Sequence, residues 1–202
     1  MASANSLTVA TESLRKTEMS YTYIKDDQSL PAAFHEAAQA SGLALQALEL
    51  LRDLSDEPNN DSTTSGLDTT ISHCRQNSCT LLETISMLAI RQGTSRLEDY
   101  KRLVQVQGKE PVEIVALKLL ANALTAITTL PSNSESRTLV QGLETTIDRL
   151  KKVELSVHPH ESFQNLRLGS GNQFNNWYGS QNNHTGSGQQ YNANNDIVFN
   201  NR

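Results

Sequence analysis

The sequence predicts an all-α protein: a helical bundle of five or six helices, followed by a disordered Gly/Asn/Gln-rich tail able to form cross-β. Three observations carry this. As far as Leu150, apolar residues recur at steps of three and four, the spacing that gathers them on one face of a helix. That stretch shows none of the alternation expected of strands. Beyond residue 153 the periodicity ends, and Gly, Asn, Gln and Ser take over. The chain reads as a helical bundle at 1–152, a linker at 153–167 and a tail motif at 168–202.

The first helix, about 4–25, has sparse anchors in Leu7, Leu14 and Ile24, with Tyr21 and Tyr23 near its end. The second is expected to be capped by Ser29, with Pro31 in its first turn. Phe34, Ala38, Leu45, Leu48 and Leu51 give it one apolar face, to about Leu54. Ser55 to Thr64, with Pro58, Asn59 and Asn60, reads as a polar connection. The third helix has the clearest pattern: Leu67, Ile71, Cys74, Ser78, Leu81, Ile85 and Leu88. Such a stripe faces a partner helix. Ser65 with Asp68 resembles a capping box, and Gly93 is the expected stop. A short helix follows from Ser95, with Glu98 at the capping-box offset, through Leu97, Tyr100, Leu103 and Val104. The turn Gly108-Lys-Glu-Pro111 separates it from a helix carrying Val112, Val115, Leu119, Ala123, Ala126 and Ile127, stopped by Pro131. The last helix carries Leu139, Leu143, Ile147 and Leu150.

Composition and motifs exclude several function classes. The net charge is −5, whereas tracking a phosphate backbone needs clustered Lys and Arg. No stretch reaches the roughly 18 apolar residues of a spanning helix, and the first residues lack the apolar run of a secretion signal. A cytoplasmic protein is expected. Cys74 and Cys79 are five residues apart, an offset that points them to different helix faces, so a bridge or a shared metal is not expected. A phosphate loop needs a lysine after its glycines, and Gly169-Ser-Gly171 and Gly186-Ser-Gly188 lack one. No Gly-x-Ser-x-Gly elbow is present. The histidines are scattered; His158 and His160 have no third ligand at zinc spacing, and His35 and His73 read as polar-face residues. Asp26 and Asp27 read as helix-end charges. No cofactor, metal, nucleic-acid partner or catalytic residue is expected, and the protein is not expected to be an enzyme.

The tail is the informative part. Leu168 to Asn195 contains no Lys, Arg, Asp or Glu, yet it holds Phe174, the only Trp, Trp177, and Tyr178 and Tyr191. It also repeats. Gly169-Ser-Gly-Asn-Gln-Phe-Asn175 returns as Gly186-Ser-Gly-Gln-Gln-Tyr-Asn192, with a degenerate copy, Gly179-Ser-Gln-Asn-Asn183, between them. Gln173, Gln181 and Gln190 mark three rungs. Stacked strands bring equivalent side chains about 4.8 Å apart, where charges repel but Asn and Gln form amide ladders and aromatics stack. The expected self-assembly residues are Gly169, Gly171, Gly179, Gly186 and Gly188 as corners, Gln173, Asn175, Gln181, Asn183, Gln190 and Asn192 as ladders, and Phe174 and Tyr191 at matching positions. A single copy buries too little surface to offset its ordering entropy, so disorder is expected before assembly.

These segments resemble a known fungal family. Ser29-Leu-Pro-Ala-Ala-Phe-His-Glu36 is similar to the opening of the second helix of the SesA domain. Arg96-Leu-Glu-Asp-Tyr100 with Gly108-Lys-Glu-Pro-Val-Glu-Ile114 resembles its later helix–turn–helix. The tail resembles the Gly-Ser-Gly-x-Gln repeats of the σ-type amyloid signalling motif. The resemblance implies an effector of regulated cell death or heterokaryon incompatibility in NACHT/STAND pathways. A NACHT NTPase with a similar repeat would template the tail, the tail would form a homo-oligomer, and a membrane would be a target after activation. The first helix is not strongly apolar, unlike that of the HeLo bundles, which counts against direct permeabilisation. A membrane-permeabilising effector and an adaptor with an inert tail stay open as alternatives.

Overall fold

The computed structural model describes residues 2–55, 65–91, 95–129, 134–158, 173–177, 180–185 and 189–193. Among them are six helices: α1 (Ala2–Tyr21), α2 (Ala32–Ser55), α3 (Ser65–Ile90), α4 (Arg96–Lys101), α5 (Val112–Ile127) and α6 (Ser134–Leu150). α4 runs directly into a π-helical turn at Arg102–Val106. Three strands follow in the tail: β1 (Gln173–Trp177), β2 (Ser180–Thr185) and β3 (Gln189–Ala193). The chain divides into two compact units, Met1–Pro159 and His160–Arg202.

The first unit is an all-α bundle, as the periodicity predicts. α5 is its hub, packed against α2, α3 and α6. Its apolar residues explain this role: Val112, Val115, Ala116, Leu119, Leu120, Ala123, Ala126 and Ile127 are all buried. They are too many for one stripe, so the helix is covered on several sides. The stripe of α3 falls inside as predicted, with Ile71, Cys74, Ser78, Leu81, Ile85 and Leu88 buried and Leu67 packed at its edge. It faces α1 and α5. Leu143, Ile147 and Leu150 are buried on α6, and Leu139 packs beside them.

α1 is less sparse than its few large apolar residues suggest. Small and hydroxyl-bearing side chains complete its buried face: Ala10, Thr11, Ser13 and Thr17. The Thr11 and Thr17 hydroxyls donate to the carbonyls of Thr8 and Ser13, so burying them leaves no donor unsatisfied. α1 and α3 lie side by side and run the same way. Ser13 Oγ lies 3.6 Å from Cys79 Sγ, and Ser20 Oγ lies 3.0 Å from Ser86 Oγ, one matched step further along both helices.

The helix ends differ from expectation in detail. α1 stops at Tyr21, and turns carry the chain to Ile24, which is buried. Ser29 does not cap α2. Its amide donates to Asp27 Oδ1 at 2.9 Å, and the helix starts after Pro31, whose carbonyl takes the His35 amide. Ser95 stands at the N-cap of α4 without a side-chain cap bond. Glu98, expected to reach back to Ser95, instead holds Lys101 at 2.8 Å. Ser65 is the first residue of α3, and Asp68 lies in its first turn. The turn at Gly108 is as predicted: its φ of 69° is the left-handed conformation that favours glycine. Gly93 and Pro131 lie outside the described residues. Both cysteines are free, Cys74 buried and Cys79 exposed. Burial pushes the Cys74 thiol up to about 12, which keeps it protonated as a small packing group.

Leu81 has no exposed surface. Leu81→Ala is expected to destabilise the bundle by about 2–5 kcal/mol, read from the midpoint of urea unfolding followed by circular dichroism. A loss below about 1 kcal/mol would place Leu81 outside a packed core.

Candidate functional site

The segments singled out along the sequence meet at one junction between α2, α4 and α5. Phe34 of α2 and Tyr100 of α4 are both fully buried and meet edge to face, with ring centroids 5.0 Å apart. Asp27, before α2, holds Arg96 at 2.5 Å. Arg96 also donates through Nε to the Leu88 carbonyl at 3.2 Å. One guanidinium thus ties the turn before α2 to the end of α3 and the start of α4. His35 is fixed on both ring nitrogens, with Tyr21 Oη 2.9 Å from Nδ1 and the Asp27 carbonyl 3.1 Å from Nε2. That is a junction role rather than the plain polar-face role expected of it. His73 is exposed.

Behind the ring pair lies a buried polar knot. Tyr100 Oη accepts the Val112 amide at 2.8 Å and donates to Glu113 Oε2 at 3.0 Å. The other carboxylate oxygen of Glu113 accepts the Ser156 amide at 3.0 Å and also the Ser156 hydroxyl. Glu113 is only 4% exposed. It stands in the first turn of α5, where the helix dipole favours negative charge. Burial, and then the charge of Glu113, push the Tyr100 phenol up, so it stays a proton donor. The knot was not read from the sequence. Its one signal is an acidic residue directly after the Pro-Val opening of a helix that is mostly apolar. Ser156 lies within the stretch read as the start of the linker, and Val157 beside it is buried.

The tail strands form an antiparallel sheet in the order β1-β2-β3. Each predicted rung contributes one strand: Gln173 falls in β1, Gln181 in β2 and Gln190 in β3. The register brings some of the predicted residues together. Phe174 and Tyr191 both oppose Asn183, Asn175 and Asn192 both oppose Asn182, and Gln173 and Gln190 both oppose His184. Gln181 does not join that glutamine row. β2 runs in reverse, which sets Gln181 opposite Asn176 and Ala193. Gly169, Gly171, Gly179, Gly186 and Gly188 lie outside the described residues. So does most of the tail, 168–202, to which the expected disorder refers.

Residues 9–125 match SesA, described as the N-terminal domain on NACHT NTPases and P-loop NTPases. The chain belongs to the SesA family. The SesA match runs from within α1 to near the end of α5. It therefore contains the Asp27–Arg96 tie, the Phe34–Tyr100 pair and Glu113, while Ser156 and the tail strands lie beyond it. Phe34, Arg96, Tyr100 and Glu113, which lie in the segments that carry the resemblance, all take part in this junction. No curated protein and no solved structure matches the chain. No helix among the described residues is long and apolar enough to cross a membrane.

Tyr100→Phe leaves the Val112 amide without its acceptor and Glu113 without one donor. It is expected to cost about 1–3 kcal/mol in chemical denaturation, with the helical spectrum of the native state unchanged; a cost near zero would mean that water replaces the hydroxyl. Asp27 supplies a pH test. Hydrogen bonds from Ser29 first, and then the Arg96 guanidinium, hold its carboxyl down at about 2, against an ordinary 3.8. The stability it contributes is present above the ordinary value and is lost as pH falls from about 4 through 2. Asp27→Asn is expected to remove that part of the acid dependence and to lower stability at neutral pH. Identical acid titrations of wild type and variant would contradict the tie.

Proposed function

We propose that this SesA protein is a non-catalytic signalling effector of fungal NLR-like (NACHT/STAND) pathways. Its tail is recruited by amyloid templating, and the resulting homo-oligomer clusters the helical bundles in the cytoplasm to trigger regulated cell death or heterokaryon incompatibility. One observation carries this reading: three copies of a glycine- and amide-rich segment without Lys, Arg, Asp or Glu, the outer two bearing an aromatic at matching positions, each overlap one of the three strands of the tail. Family membership supports the pathway, because SesA is the domain that precedes NACHT and P-loop NTPase modules. A NACHT NTPase bearing a similar repeat would offer strands to which this tail adds by main-chain hydrogen bonds, the pairing by which extended segments join a sheet edge.

The bundle's part is to be concentrated. Its polar groups at the junction are engaged with one another, an arrangement suited to a rigid module. A membrane-permeabilising role would require the α3 stripe to leave the core it occupies, which makes that reading the less economical one.

The full chain is expected to form thioflavin-positive fibres with cross-β diffraction. Asn183→Pro, in the central strand β2, removes a main-chain donor from a strand paired on both sides. It is expected to abolish fibres while leaving the thermal unfolding of the bundle unchanged. Persistent monomer of the wild-type chain at high concentration with preformed seeds would overturn the proposal.

A further inference from the structure

Strands β1 and β3 both pair antiparallel with β2, so they run parallel to each other on its two sides. Sharing one partner strand also fixes their offset. Gln173 and Gln190 stand level across His184, Phe174 and Tyr191 across Asn183, and Asn175 and Asn192 across Asn182. These are the corresponding positions of the first and third repeats. The meander thus presents nearly the same short sequence, in the same direction and at the same height, along its two outer strands. Among the described residues neither outer strand has a ladder partner on its far side. Such an edge, with its row of unpaired N–H and C=O groups, is a template for another strand.

We propose that copies of this chain add head to tail, with β1 of one copy pairing parallel and in register with β3 of the next. The inference rests on the cross-β reading above and specifies its geometry. In that register Gln173 sits beside Gln190 of the next copy, Phe174 beside its Tyr191 and Asn175 beside its Asn192. The row Asn175–Asn182–Asn192 continues through every junction as an all-asparagine row, the arrangement that amide ladders favour. A slip of one residue would turn every side chain of the added strand to the opposite face, so the matched register is the one that keeps like rows together. The contact joins two different edges. It is heterologous and stays open to growth, whereas β1 on β1 or β3 on β3 would close a dimer. Stacking each strand on its own copy would need the β1–β2 and β2–β3 pairings to be broken first. The translational repeat of the head-to-tail stack is three strands, about 14 Å, instead of one strand of about 4.8 Å.

The chain's only tryptophan, Trp177, lies in β1 and serves as a native probe. Fibres of the full chain carrying carbonyl-13C tryptophan are examined by solid-state 13C–13C dipolar recoupling. Successive Trp177 carbonyls about 14 Å apart give almost no dephasing; identical strands stacked about 4.8 Å apart give rapid dephasing. A second fibre sample mixes chains carrying carbonyl-13C phenylalanine with chains carrying 15N-tyrosine. The head-to-tail junction gives an intermolecular Phe–Tyr contact there. Flat tryptophan decay together with that contact is the expected result. Rapid tryptophan decay, or flat decay without the Phe–Tyr contact, overturns the head-to-tail register and leaves cross-β assembly standing. A closed dimer in ultracentrifugation, with no fibres, overturns the register and the amyloid reading together. So does a chain that never assembles.

Discussion

Helix α5 begins with an amide and a carboxylate buried away from water, and the arrangement around them depends on how both are satisfied. A buried carboxylate left without donors, or a first-turn amide without an acceptor, costs more than an ordinary hydrogen bond returns. Tyr100 answers both needs with one hydroxyl, and Ser156 supplies the remaining donors. That requirement positions α4 against α5. The ring of Tyr100 then meets Phe34 and positions α2. Arg96, four residues before Tyr100, reaches Asp27 and the end of α3. The core is built from apolar burial, but its geometry at this end is set by a few directional bonds.

Most of the bundle was legible because it is built from repetition at one period. The α3 stripe, the α5 run and the α6 row each place large apolar residues at helical steps, and each is buried where the step predicts. α1 was harder to read because its buried face includes Thr11, Ser13 and Thr17, residue types that sequence reading credits to surfaces. Caps were the least legible part. Ser29 misses the cap because α2 starts only after Pro31 and the Ser29 amide turns back to Asp27, while Glu98, at the capping-box offset from Ser95, pairs with Lys101 instead. Glu113 gave almost no signal, since its donors come from residues 13 positions before and 43 after it.

In the tail, Gln173, Gln181 and Gln190, singled out from the repeat, fall one in each of the three strands. The rows within the sheet did not follow from alignment alone. Aligning the repeats places three glutamines together, but a hairpin reverses the middle copy, and only the first and third copies then share rows. Repeat number carries this difference: with an odd count, the outermost copies of a meander run the same way.

The hold that Glu113 has on Ser156 also sets where the bundle ends along the chain. The segment up to His158 belongs to the bundle, so only 15 steps of chain separate it from Gln173 at the start of β1. Fully extended, 15 residues span at most roughly 50 Å, whereas a compact domain of this size has a radius of gyration of about 15 Å. Under the head-to-tail stacking proposed above, with one copy about every 14 Å, domains of this size would crowd their neighbours. In such a stack the donors that Ser156 gives Glu113 would limit how much chain is left to relieve that crowding.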